Sequence, residues 1–183
     1  MCGIFSVIAR SDNYELKFLE KLLTDVATFS EVRGVDSSGF AMIDSGSDTI
    51  RVTKGPVKIS DLMKQTGVVS QVRPIGDNIF FAFGHSRLVT NGSQLADVNN
   101  QPVIKDGIVG VHNGIIVNDN EIWSNHPELK REFEIDTESL VSLLNLHLTI
   151  ENDLIATLKK VESEIYGTIS LAALFKDKNE FLI

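Results

Sequence analysis

The chain has one cysteine in 183 residues, at position 2. That excludes an internal disulfide framework and any zinc site built on paired Cys-x-x-Cys motifs. It is compatible with a reducing compartment. Basic clusters are also missing. Lys and Arg number 17 against 25 Asp and Glu, a formal net charge of −8. A nucleic-acid surface needs clustered cations, so no nucleic-acid partner is expected. No apolar run reaches the roughly 20 residues of a membrane-spanning helix. Ile4–Ala9 is too short for a secretory signal and has no basic segment before it. No membrane partner is expected, and the setting reads as cytoplasmic. Neither G-x-G-x-x-G nor a Walker A loop occurs. His85, His112, His126 and His147 lack metal-ligand spacing, and H-E-x-x-H is absent. Neither a metal nor a cofactor is expected. There are no repeats, low-complexity tracts or internal linkers.

What is present is a chain of ordinary globular composition, 43% apolar and 23% charged, long enough for one domain with a single sizeable core. Gly3–Ala9 reads as a short buried strand, and Ser11-Asp12-Asn13 as a turn and helix cap. Leu16, Leu19, Leu22, Leu23, Val26 and Phe29 recur at helical spacing. Phe40–Ile43 and Thr49–Lys54 flank Asp44-Ser45-Gly46-Ser47, a hairpin signal. Ile59–Gln65 reads as a short helix, and Ile79–Phe83 and Gly107–His112 as strands. The second of these ends in Asn113-Gly114, a good turn dipeptide, with Ile115–Val117 after it. Asn118–Ser124 reads as a helical turn. Asp136 or Thr137 can cap a helix through Leu140, Val141, Leu144 and Leu148, and Leu154–Val161 forms another. Gly167–Phe175 reads as a strand, Lys176–Asn179 as a turn and Glu180–Ile183 as the start of its partner. This order is not a regular βαβ alternation. It predicts an α+β protein, antiparallel sheets with helices packed outside them. The apolar end Phe181-Leu182-Ile183 falls inside an expected strand, which predicts a domain spanning 1–183 that is truncated at its C-terminus.

Cys2 directly follows Met1. Were Met1 removed, one residue would carry a thiol and a free α-amine. These titrate near about 8.5 and 7.7–8.0 in peptides, so the amine can take the thiol proton near neutral pH. That joins nucleophile and base in one residue. Four polar stretches, three of them containing Gly, interrupt the apolar segments: Arg33–Gly39, Gly84–Gly92, Val111–Gly114 and Ile135–Glu138. Each is ambiguous alone. An Asn-Gly is usually a turn, an Arg beside a strand a surface charge, and an Asp before a helix its cap.

Taken with Cys2, the set resembles the class II glutamine amidotransferases, the N-terminal-nucleophile glutaminase domains. The resemblance runs from Cys2 through Phe175, with five motifs in the family's order. Arg33–Gly39, His112–Asn118 and Asp136-Thr137-Glu138 look most like the glucosamine-6-phosphate synthase branch. It implies a four-layer αββα sandwich of two mainly antiparallel sheets. It implies that glutamine is hydrolysed to glutamate and ammonia through a thioester on Cys2. Asn113 and Gly114 would then stabilise the oxyanion, a Gly letting the backbone approach closely. Arg87 would hold the α-carboxylate and Asp136 the α-ammonium. Thr90 would add polar contacts, with Asn91 and Arg33 in support. The partners implied are glutamine and an ammonia-accepting synthase domain or subunit; a homo-oligomer is compatible with this.

Two positions and one four-residue stretch depart from that branch. Leu88 stands where it has an aromatic residue and Asn91 where it has a His. Asn99-Asn100-Gln101-Pro102 replaces a His-Pro-His stretch. These leave the ammonia acceptor open. Two other readings stay open as well. One is an N-terminal-nucleophile hydrolase of another amide or γ-glutamyl compound. The other is a non-catalytic glutamine-binding or regulatory module, the outcome if Met1 stays and acylates the nitrogen.

Overall fold

The computed structural model describes residues 2–10, 13–44, 49–66, 79–90, 92–175 and 180–183. The chain divides into two compact units, Met1–Thr90 with Gln94–Pro102, and Asn91–Ser93 with Val103–Ile183.

The first unit contains β1 (Gly3–Arg10), α1 (Leu16–Ser30), a 3₁₀ turn (Glu31–Arg33), β2 (Ser37–Asp44), β3 (Thr49–Gly55), α2 (Ile59–Thr66) and β4 (Ile79–Arg87). Its four strands form an antiparallel sheet in the order β1-β4-β2-β3. In β1 the side chains alternate, with Phe5 and Val7 buried on one face. Opposite them, α1 presents Leu19, Leu23, Ala27 and Ser30, a stripe at helical spacing. The apolar ones among these residues join Phe40, Met42, Ile59, Leu62, Phe80 and Ala82 in one cluster. Truncating a fully buried member such as Leu23 to alanine would cost about 2–5 kcal/mol. Phe29 does not belong to the stripe and is exposed. Nor does Asn13 cap α1, whose cap residue is Glu15 with no side-chain hydrogen bond. Ser11, Asp12 and the expected turn residues 45–47 lie outside the described residues.

The second unit contains β5 (Val103–Lys105), β6 (Ile108–Ile116), α3 (Asp119–Asn125), α4 (Asp136–Glu151), α5 (Leu154–Glu164), β7 (Gly167–Phe175) and β8 (Glu180–Leu182). The strands run antiparallel in the order β5-β6-β7-β8. Leu140, Val141, Leu143, Leu144 and Leu148 of α4 pack with Ile108, Ile116, Val161 and Phe175 in a second cluster. Among the described residues each unit thus has its own apolar cluster, and Phe81, Phe83, Val109, Val111 and Leu174 are buried outside both. Because α4 is buried on nearly every side, it also carries buried polar groups: Thr137, Glu138, Ser139, Ser142 and His147.

One turn expectation is corrected. Asn113-Gly114 does not end a strand; β6 runs on to Ile116, with Asn113 opposite Ser170 and Gly114 opposite Ile169. The reversal comes earlier, at Asp106 (φ 51) and Gly107 (φ 80), between β5 and β6. Two successive positive φ values are what an Asp-Gly hairpin loop adopts. The α+β class and the two antiparallel sheets are as expected, and none of the described helices is long and apolar enough to cross a membrane.

Candidate functional site

In the first unit the strand register sets the position of the nucleophile candidate. Gly3 pairs with Ser86, which carries Cys2 to the C-terminal end of β4. There the Leu88 N–H donates to Cys2 Sγ at 3.4 Å, and the thiol donates to the Leu88 carbonyl at 3.6 Å. Arg87, the preceding residue, is 3% exposed. Its Nη1 donates to Asn99 O at 2.8 Å and to Asn100 Oδ1 at 3.3 Å. The Asn100 side chain in turn donates to Gln94 O at 2.8 Å. Lys54 Nζ closes the arrangement, donating to Asn100 O at 2.7 Å and Pro102 O at 3.0 Å. Burial pushes the Lys54 ammonium down to about 8, with Asp97 opposing the shift.

The Arg33–Gly39 motif holds the same strand end. The Asp36 N–H donates to Arg87 O at 3.0 Å, and Asp36 Oδ2 accepts from the Val89 N–H at 2.8 Å. Gly34 lies so close that a Cβ there would run into the Arg87 carbonyl carbon and the Leu88 nitrogen. Arg33 is exposed on the 3₁₀ turn, and its Cβ would stand 3.2 Å from a Cβ on Gly3. Thr90 is exposed. Asn91 lies outside the described residues.

In the second unit Asn113 and Gly114 lie within β6, and Asp136 opens α4. The Asp136 carboxylate does not cap the helix, which corrects that expectation. Its Oδ2 accepts the Ile116 N–H at 2.9 Å, so the start of α4 is tied to the end of β6. A Cβ on Gly114 would run into the Thr168 carbonyl of β7 and stand 2.6 Å from His112 Nε2. The neighbouring strand alone therefore demands a glycine here. His112 is buried between Thr168 O, 3.3 Å from Nε2, and Thr137 Oγ1, 3.4 Å from Nδ1. Burial holds its pKa below the usual histidine value, although the Asp136 charge and the Thr168 carbonyl pull the other way.

Glu138 is fully buried and accepts from the Glu132 and Phe133 N–H groups at 2.7 Å each. It also pairs with Lys105 Nζ at 2.8 Å. Lys105 reaches Glu132 Oε2 at 3.1 Å and Lys130 O at 2.6 Å as well. Burial alone would lower the Lys105 pKa, but the two carboxylates outweigh it and hold it above the usual value. The segment leading into Asp136 is thus anchored by an ion pair.

The first unit therefore sets Cys2 against the main chain of Leu88, the residue after Arg87, with Arg33 flanking Gly3. The second ties Asp136 to Ile116, two residues beyond Gly114. Sequence reasoning assigned no role to Lys54, Asp36, Asn99, Asn100, Lys105, His112 or Glu138. For Asn99 and Asn100 the one available signal was their departure from the family pattern. Chemically, a thiol can act as a nucleophile and a buried guanidinium can grip a carboxylate, and here the two belong to residues at the same strand end.

No family model matches the sequence. The chain is 33% identical over 187 residues to glutamine–fructose-6-phosphate aminotransferase (isomerizing) of Zymomonas mobilis, covering 100% of this chain and 28% of that protein. It is 28% identical over 195 residues to the protein of the same name from Legionella pneumophila (strain Paris), with the same coverage. The chain thus spans little more than a quarter of these relatives. Among solved structures, glutamine phosphoribosylpyrophosphate amidotransferase from B. subtilis superimposes with a TM-score of 0.60 at 20% identity, over 96% of this chain and 35% of that one. A structure described as the allosteric regulatory enzyme of purine biosynthesis gives 0.63 at 20% identity, over 94% and 35%.

Proposed function

We infer that this chain, which belongs to the class II glutamine amidotransferases, hydrolyses the side-chain amide of glutamine once Met1 is removed. The α-amine of Cys2 takes the thiol proton, and the thiolate attacks the amide carbon. Asn113 and Gly114 act as oxyanion donors, one such donor contributing about 3–4 kcal/mol to the transition state. The amine returns the proton to the leaving nitrogen and ammonia departs. Water then cleaves the γ-glutamyl thioester to release glutamate and restore Cys2. Arg87 receives the α-carboxylate, Asp136 the α-ammonium, and Thr90 and Asn91 add polar contacts. Arg33 supports the nucleophile end.

The observation that carries this reading is the strand register that sets Cys2 Sγ against the Leu88 N–H, one residue from the buried Arg87. Residues 1–183 act as the glutaminase domain. A second domain or subunit binds the acceptor, in keeping with the further length of the relatives, whose names pair glutamine with an acceptor.

The test is intact-mass analysis of the chain before and after exposure to a diazoketone analogue of glutamine. A species lacking Met1 that gains one adduct on Cys2 is expected. An unlabelled chain lacking Met1 would overturn the reading. A chain that keeps Met1 yet binds glutamine in calorimetry would make it a binding module.

A further inference from the structure

His126, His147 and Glu164 stand far apart in the sequence and on separate elements of the second unit. His126 closes α3, His147 lies in the last part of α4, and Glu164 ends α5. The fold brings one donor atom from each within 4.8 Å of the others. His126 Nε2 is 2.6 Å from Glu164 Oε2, and His147 Nε2 is 3.0 Å from Glu164 Oε1. The imidazole rings stand nearly perpendicular, at 86°, with centroids 6.0 Å apart. Two ε nitrogens thus converge on the two oxygens of one carboxylate.

Two further observations go beyond proximity. His147 is 4% exposed, and its buried Nε2 makes no hydrogen bond; the approach to Oε1 is off the N–H direction. On the far side of His126, Nδ1 lies 3.4 Å from Glu128 Oε1. The 2.6 Å contact makes Nε2 a donor to Glu164, so a cation must displace that proton, after which Glu128 holds the remaining ring proton on Nδ1, as an outer carboxylate does for a metal-bound histidine. The end of α5 is itself fixed, since Asn118 Nδ2 donates to Glu164 O at 2.8 Å. Lys160 Nζ approaches Glu164 Oε1 at 3.3 Å, but its side chain is half-exposed and free to swing into water.

We propose that His126, His147 and Glu164 form a binding site for a divalent transition-metal ion of the zinc class, with water completing the coordination. Two imidazoles and one carboxylate suit zinc, cobalt or nickel, whereas calcium and magnesium take mainly oxygen ligands. Donors about 2.0–2.1 Å from a tetrahedral ion lie roughly 3.3 Å apart, so the donors, now 2.6 Å apart in one pair and within 4.8 Å overall, must adjust by about an ångström to complete the site. The ion ties the end of α3 to α4 and α5. This role is separate from glutamine chemistry. The competing occupant is a proton, which would leave an imidazolium–carboxylate network.

The probe is Co²⁺, then Zn²⁺, added to metal-stripped full chain whose Cys2 is alkylated so that its thiol contributes no ligand. One equivalent of Co²⁺ should give the visible bands of a four-coordinate ion, displaced by Zn²⁺, and each metal should raise Tm. Glu164→Gln and His147→Ala should each weaken binding by about tenfold or more. Circular dichroism checks that each variant is folded. Absence of saturable bands in the parent chain would overturn the proposal, whatever the variants do. Bands unchanged in both folded variants would overturn it as well.

Discussion

Each unit has a lysine that clamps a loop, half-buried in the first and buried in the second, and the two lysines are treated in opposite ways. Lys54 of the first unit donates to two main-chain carbonyls, of Asn100 and Pro102, and its pKa falls to about 8. Lys105 of the second unit meets two carboxylates and one carbonyl, and its pKa rises. Carbonyl dipoles do not fully replace the hydration that burial removes, whereas a buried carboxylate more than offsets it. The two clamps hold the segments beside two candidate substrate residues. Lys54 secures the loop whose Asn99 and Asn100 hold Arg87, and Lys105 secures the segment entering Asp136. The first clamp is adjustable by pH, and the second is a closed ion pair.

The sharpest break in the comparison is removal of one partner of the closed pair. Glu138→Ala leaves the Lys105 charge without its closest carboxylate and two buried N–H groups, of Glu132 and Phe133, without an acceptor. Stability should fall by about 3–5 kcal/mol, read as a lower urea midpoint at constant slope. A loss below about 1 kcal/mol would mean that the pair is hydrated in solution. Lys105→Met should cost nearly as much, since it strands Glu138. Lys54→Met should change stability at pH 7 by only about 1 kcal/mol, because the lost carbonyl bonds are offset by relief of a buried charge. Similar losses in the two methionine variants would end the contrast.

These clamps show where the sequence stops being legible. Periodicity located α1, α2 and α5 and most strands, because each buries a face whose spacing is written locally, and α4 through its dense leucines, although it is buried on nearly every side. The Cys2, Arg33–Gly39, Arg87 and Asp136 motifs could be picked out because their residue types are unusual in apolar surroundings. Lys54 and Lys105 carry no such mark. Their partners lie 25 to 48 residues away in the chain, on loops and a helix that only the tertiary fold brings to them. Local rules misled at Asn113-Gly114, where pairing with Ser170 and Ile169 overrides a turn dipeptide, and at Asp136, whose carboxylate serves Ile116 instead of its own helix. The His126–His147–Glu164 group was hidden for a similar reason. Three helices must pack before its donors converge.

A pH scan sharpens the comparison further. The folded-state pKa of Lys54 lies near 8 and the unfolded value near 10.5. Between these the unfolded chain binds more protons, so stability rises with pH across that window. The parent chain should gain about 1–2 kcal/mol on Lys54→Met from pH 8 to 10.5, the full figure being reduced because Lys54 is only half-buried. A flat difference would show that the ammonium is hydrated in the folded state. His112 gives the acid-side counterpart. Its folded pKa is depressed, so its contribution is present above the unfolded value and fades as pH falls toward the folded one. In His112→Gln this acid loss should diminish.

The smallest expected effect serves as a control on the second unit. The Asp153 carboxylate caps α5 by accepting from the Ala156 N–H at 2.7 Å, on an exposed surface. Asp153→Ala should cost about 1 kcal/mol, well below the loss from Glu138→Ala. The same carboxylate chemistry is then compared in two settings within one unit. At the cap, water can replace the lost acceptor; beside Lys105, it cannot reach the stranded charge. If the two substitutions cost the same, burial would not be what separates them, and the opposite shifts of Lys54 and Lys105 would lose their common cause.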